Sequence, residues 1–241
     1  MTRSRVSSAS GSPYSAAVFQ SRIWFPAITV APGTLSAVKS ASPARPAAKG
    51  NYPRANEVNP YIKHRNNGLV SDRFPDAVMT GHDDRSYRFY TDLIAGKIVF
   101  INFMYARCRG ICAGNTEAMC RIHDALKPRM GKDVFMLSLS VDPAEDTPEA
   151  LRFYMETREA KGRAGWTFAV GTPADTEVIR RVLGAYDPDP KADAVVTNHS
   201  GMLTYGNDRN NRWGALPTTS NLGQVLHSFD NITRTPRSSQ M

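Results

Sequence analysis

The chain has 241 residues, 41% of them hydrophobic and 22% charged, and a formal net charge of +8. That balance excludes collagen-like, low-complexity and polytopic membrane classes, and three cysteines are too few for a disulfide-stapled miniprotein. The charge is localised: residues 1–56 hold seven basic groups and no acid, whereas the other 185 hold 23 basic and 22 acidic groups, so no nucleic-acid partner is expected.

Residues 1–56, rich in Ser, Ala and Pro, read as a disordered basic tail, because such a composition cannot bury enough apolar surface to offset the entropy of ordering. The acid-free start also has the character of a targeting segment. Its best apolar window, Ala16 to Val38, is broken by Arg22, Pro26 and Pro32 and makes a poor transmembrane helix. Residues 57–232 are expected to form the folded domain, and 233–241 a flexible C-terminal tail.

Within that domain, Lys97 to Tyr105 is a near-continuous apolar run suited to a strand buried on both faces. A helix follows from about Ala113, with Met119, Ile122 and Leu126 on one stripe, and ends before Pro128. Val134 to Val141 is a second buried strand. Thr147-Pro148-Glu149 opens a helix carrying Leu151, Tyr154 and Met155. Trp166 to Val170 is a short strand, and Thr172-Pro173 starts a helix that Gly184 closes. Gly201 to Gly206 reads as a strand and Leu222 to Phe229 as the core of a last helix. Alternation of this kind predicts an α/β domain with a central sheet flanked by helices.

The chemistry begins at Cys108 and Cys112, between the end of a buried strand and the start of a helix. The unpaired N–H groups and positive dipole at a helix start favour a thiolate, as nucleophile or as metal ligand. At roughly 100° per residue Cys112 shares the Met119 stripe and points to the core, leaving Cys108 the more accessible thiol. The pair can close a disulfide or grip one soft metal ion. Two cysteines at this spacing can also be small buried hydrophobes. Cys120 falls off the stripe and reads as a packed thiol outside the site.

Of the histidines, His64 and His82 lie in irregular polar sequence and are expected to face solvent, and His123 reads as a satisfied structural residue. His227 has no acid or thiol neighbour in sequence. His199 ends a polar loop just before a strand, where α/β folds present side chains to a site. Two thiolates and an imidazole make a soft three-coordinate set suited to Cu(I). Asp142, Asp146 and Glu149 offer carboxylates for a hard metal, but Asp146 and Glu149 are better explained by helix initiation around Pro148.

Together these segments resemble the SCO/SenC family of thioredoxin-like copper-binding proteins, over roughly Phe74 to Phe229. The resemblance rests on the lead-in from Phe74 to the cysteine loop, on Val141-Asp142-Pro143 and Asp146-Thr147-Pro148-Glu149, on the His199 loop, and on Thr204-Tyr205-Gly206-Asn207 followed by Arg212-Trp213. It departs from the family pattern at Ala113, where a proline is usual, at Arg109-Gly110-Ile111, which makes the loop more basic, and at Asn198, where many members have an aspartate.

The resemblance implies a thioredoxin-like fold with a central mixed sheet, and Cys108, Cys112 and His199 as ligands of copper, favoured as Cu(I). It further implies a metallochaperone that takes copper from a donor protein. The copper passes to the dinuclear copper site of a respiratory oxidase subunit, and oxidation of the cysteine pair abolishes binding. Such a carrier is not an enzyme. The alternative is a thiol–disulfide oxidoreductase, in which Cys108 attacks a disulfide in the acceptor and Cys112 resolves the mixed disulfide. Either role implies an extracytoplasmic place, periplasmic or membrane-associated facing the periplasm, with a mitochondrial intermembrane space as the alternative.

Overall fold

The computed structural model describes residues 67–195 and 201–234. The expectations for residues 1–56 and for most of 233–241 therefore lie outside the described residues, as does His199. Seven strands form one sheet in the order β2-β1-β5-β4-β3-β6-β7. These are β1 (Val78–Gly81), β2 (Ser86–Arg88), β3 (Ile98–Met104), β4 (Val134–Ser140), β5 (Trp166–Val170), β6 (Met202–Asn207) and β7 (Arg212–Pro217). The helices are α1 (Cys112–Ala125), α2 (Pro148–Thr157), α3 (Pro173–Val182), the one-turn α4 (Pro190–Asp193) and α5 (Leu222–Thr233).

The sheet is mixed. Strands β3, β4 and β5 run parallel at its centre, in register from Ile98 opposite Val134 to Met104 opposite Ser140. Strands β1 and β6 pair antiparallel on either side of that core. All seven residues of β3 are buried, because helices cover both faces of the sheet. Ile98, Phe100 and Met104 face the helices α1, α2 and α5, where Phe100 stacks on Phe229 at 5.9 Å. Val99, Ile101 and Phe103 face the opposite layer, with Phe74, Phe89, Ile94 and Ile179 of α3.

Helix starts follow their sequence signals. The hydroxyl of Thr147 accepts the N–H of Ala150, that of Thr172 accepts the N–H of Asp175, and proline occupies the first turn in both helices. Gly184 has φ +71°, the left-handed conformation that ends a helix at little cost for glycine. Strands β1, β2 and β7 carry no clear sequence signal: they are short, and β1 and β7 alternate exposed with buried or half-buried residues near the sheet edges. The β6–β7 hairpin is built on complementary pairs, Tyr205 opposite Gly214 and Gly206 opposite Trp213. A Cβ on Gly206 would lie 2.1 Å from the Trp213 ring, so the glycine is the floor on which the indole rests.

This topology positions one edge. The C-terminal ends of β3 and β4 lead into the loops 105–111 and 141–147, and β6, antiparallel to β3, begins at that same edge, with Leu203 opposite Asn102. The carboxyl edge of the parallel strands is where open α/β sheets present their sites.

Candidate metal centre

Cys108 lies in the loop after β3, and Cys112 is the first residue of α1. Both are reduced and both are buried, at 6% and 0% exposure. The expected order of accessibility holds, but Cys108 is far less open than a loop position implies: Tyr105 and Ala106 are half-buried around it and its N–H donates to the Tyr105 carbonyl at 3.1 Å. Arg107, Arg109 and Ile111 carry the exposed side chains of the loop, Arg107 paired with Glu145 across to the next loop at 2.5 Å.

The two thiols are electrostatically distinct. Burial alone pushes Cys108 up, but hydrogen bonds from the Cys112 thiol, from the Cys112 and Gly110 N–H groups and from the Tyr105 hydroxyl outweigh it, leaving Cys108 below the ordinary thiol value. Burial, with the proton donated to Cys108, pushes Cys112 well above that value. The helix start therefore acts on Cys108, whose sulfur accepts from the Gly110 and Cys112 N–H groups, and not on Cys112, which belongs to the helix itself.

Two polar clusters hold the pair. Beneath α1, the Tyr154 hydroxyl donates to the Cys112 carbonyl at 3.0 Å and lies 2.7 Å from the Thr116 hydroxyl; burial pushes Tyr154 up to about 12, so it stays a donor. Behind the loop, the Asp146 carboxylate accepts the Ala106 N–H at 3.0 and 3.2 Å and the Ser140 hydroxyl at 2.6 Å. This corrects the reading of Asp146 as a helix-initiating acid. Thr147 caps α2, Glu149 is the exposed first-turn acid, and Asp146 is buried against the cysteine loop. Its sequence signal, an acid one residue before a capping threonine, is indistinguishable from a second cap.

His199 lies outside the described residues, so the ligand set expected from the sequence is represented here by the two cysteines. Gly201, two residues after His199, sits against the start of α1. The Thr218 hydroxyl lies 2.8 Å from the Gly201 carbonyl and 2.5 Å from Asn115 Oδ1, and the Thr218 N–H donates to the same carbonyl at 2.7 Å. Asn115 and Thr218 are both buried, a clamp between β6 and the first turn of α1 that nothing in the sequence marks.

The other candidates stand apart. Cys120 is buried, with Sγ 3.8 Å from the Arg158 carbonyl, and its thiol is pushed up by burial. His123 is buried, its Nε2 3.0 Å from the Ala164 carbonyl, and its ring stacks on Trp166. His82 departs from expectation: it is half-buried and its Nδ1 accepts the Phe168 N–H at 3.3 Å. His227 is exposed on α5 and His64 lies outside the described residues. Among the described residues no group of three or more His, Cys, Asp and Glu side chains is arranged to hold a metal, and no helix is long and apolar enough to cross a membrane.

The arrangement has clear relatives. The chain is 26% identical over 146 residues to Protein sco1 of Schizosaccharomyces pombe, covering 56% of this chain and 52% of that protein. It spans just over half the length of the curated relatives it matches, 52% and 58%. Among solved structures it superposes on a SCO1/SenC family lipoprotein from Bacillus anthracis with a TM-score of 0.55 and 19% identity, over 65% of this chain and 92% of that one. Bradyrhizobium japonicum ScoI with copper bound gives a TM-score of 0.51 and 17% identity, over 65% and 96%. These likenesses give the fold as thioredoxin-like. Residues 79–233, from β1 to the end of α5 and including both buried cysteines, match the SCO1/SenC family model, and the chain belongs to the SCO1/SenC family.

Proposed function

We propose that this chain is a copper carrier of respiratory oxidase assembly, binding Cu(I) through Cys108, Cys112 and His199. The observation that carries the reading is the buried, reduced thiol pair at the junction of β3 and α1 in a SCO1/SenC chain. Two thiols with their sulfurs in hydrogen-bond contact are a soft donor set, and soft donors select Cu(I) over hard cations. A relative of the same fold is described as copper-bound, which supports the choice of metal. The tie of Gly201, two residues after His199 in sequence, to the first turn of α1 through Thr218 supports His199 as third donor.

Loading releases the thiol protons, so affinity rises with pH until both sulfurs are thiolates. Oxidation of the pair joins the sulfurs, removes two electrons and two protons, and leaves no thiolate to bind the metal. Copper occupancy is thereby tied to redox state. The recipient is the dinuclear copper site of an oxidase subunit and the source a copper donor protein. The place of action is extracytoplasmic, in keeping with the lipoprotein nature of the Bacillus anthracis relative.

A second reading, thiol–disulfide oxidoreductase, is favoured by the contrast between a depressed Cys108 and a raised Cys112, the division between attacking and resolving thiols. It is disfavoured by burial: an attacking sulfur must reach a protein disulfide, and Cys108 is 6% exposed. An anaerobic Cu(I) titration against a chromophoric competitor, with Cys108→Ser and His199→Ala alongside, separates the two. The carrier predicts one tight equivalent, lost in Cys108→Ser and weakened at least tenfold in His199→Ala. A parent that fails to compete, or affinity indifferent to His199, favours the oxidoreductase.

A further inference from the structure

Asp146 carries an energetic cost that the α2 helix does not explain. A carboxylate 4% exposed is expensive to bury unless its oxygens are satisfied by donors. The helix start that follows needs no help from it, because Thr147 supplies the cap. Every side-chain hydrogen bond the structure gives Asp146 points instead to the sheet edge: the Ala106 N–H reaches both its oxygens, and the Ser140 hydroxyl one of them. The Ser140 hydroxyl oxygen in turn accepts the Asp142 N–H at 3.0 Å, and the Asp146 N–H donates to the Asp142 carbonyl at 2.9 Å. One carboxylate thus joins the end of β4, the start of α2 and the main chain two residues before Cys108. The loop it holds is also tied at Cys108, by the turn hydrogen bond from its N–H to the Tyr105 carbonyl at 3.1 Å and by the bonds its sulfur receives from Cys112, Gly110 and Tyr105.

We propose that Asp146 is a positioning residue for the thiol pair: by holding the Ala106 N–H it fixes the loop so that the Cys108 sulfur stays in reach of Cys112. The consequence for copper rests on the carrier reading above; the consequence for the thiols does not. Loosening the loop lowers the effective concentration of one thiol for the other, so the disulfide form loses ground to the dithiol. Asp146→Asn can keep the arrangement, with its amide oxygen accepting from Ala106 and its NH2 donating to the Ser140 hydroxyl oxygen. Asp146→Ala removes both anchors. Ser140→Ala removes one and leaves the Ala106 contact in place.

The test is the equilibrium of the full chain with reduced and oxidised glutathione, read by thiol labelling, followed by Cu(I) competition on the same variants. Asp146→Ala is expected to shift the equilibrium towards the dithiol at least tenfold, about 30 mV for a two-electron couple. Ser140→Ala shifts it the same way by less, and Asp146→Asn stays within about threefold of the parent on this argument. Should Asp146→Ala fail to fold, Ser140→Ala and Asp146→Asn still decide. Parent-like equilibria in Ser140→Ala and in any folded Asp146→Ala would overturn the proposal, as would an Asp146→Asn shift matching or exceeding theirs, which would make charge and not position the cause. The glutathione equilibrium needs no metal, so a parent without Cu(I) affinity would refute the carrier while leaving the role of Asp146 to be read from the thiols.

Discussion

Cys108 and Cys112 lie four residues apart but have different chemistry. Cys108 sits outside the helix, where the N–H groups of Gly110 and Cys112 and the Tyr105 hydroxyl reach its sulfur; Cys112 sits inside it, with its proton shared towards Cys108. Of the two, Cys108 is therefore the thiol that gives up its proton first as pH rises. Iodoacetamide labelling of the reduced protein across a pH series, read by peptide mass spectrometry, should modify Cys108 with a midpoint below that of the same cysteine in the unfolded chain. Cys112 should stay unmodified until well above it. Equal midpoints, or Cys112 reacting first, would contradict this division. Because burial shields both sulfurs, the rates should be slow against an unfolded control.

At the scale of elements, the residues after His199 form a hairpin whose stiffness depends on two glycines. Gly206 and Gly214 lie opposite Trp213 and Tyr205, and a Cβ on either would collide with the facing side chain, at 2.1 Å from the Trp213 ring and 2.6 Å from the Tyr205 hydroxyl. Gly206→Ala is expected to cost about 1–3 kcal/mol, the usual range for forcing a methyl group into packed surroundings. Denaturant unfolding measures it; a loss below about 0.5 kcal/mol would mean the indole has another place to rest. This hairpin also shows what sequence pattern reaches. The central strands and main helices were legible because they are long apolar runs or carry threonine caps, first-turn prolines and a closing glycine. Strand β7 was not, since Trp213, Gly214 and Pro217 acquire strand character only against β6. Asp146 was misread for a related reason: its role is set by Ala106, 40 residues away, and not by the helix next to it. The thiol pair was legible from position alone, whereas the Asn115–Thr218 clamp spans 103 residues and leaves no local trace.

For the molecule as a whole, the sheet order gathers at one edge what the sequence spreads over more than ninety residues, from Cys108 to Met202. β3 delivers Cys108, α1 begins with Cys112, the β4–α2 loop supplies Asp146, and β6 starts at Met202, directly after Gly201 and three residues after His199 in sequence. Parallel strands at the centre bring the first three to one edge, and the antiparallel pairing of β6 with β3 brings the fourth. On the proposed carrier function, this edge assembles two sulfurs and one imidazole around a single Cu(I). Copper K-edge X-ray absorption of the anaerobically loaded chain tests it most directly. The expected result is a Cu(I) edge with two sulfur scatterers and one imidazole nitrogen, the nitrogen disappearing in His199→Ala. A sulfur-only shell unchanged by His199→Ala would contradict it.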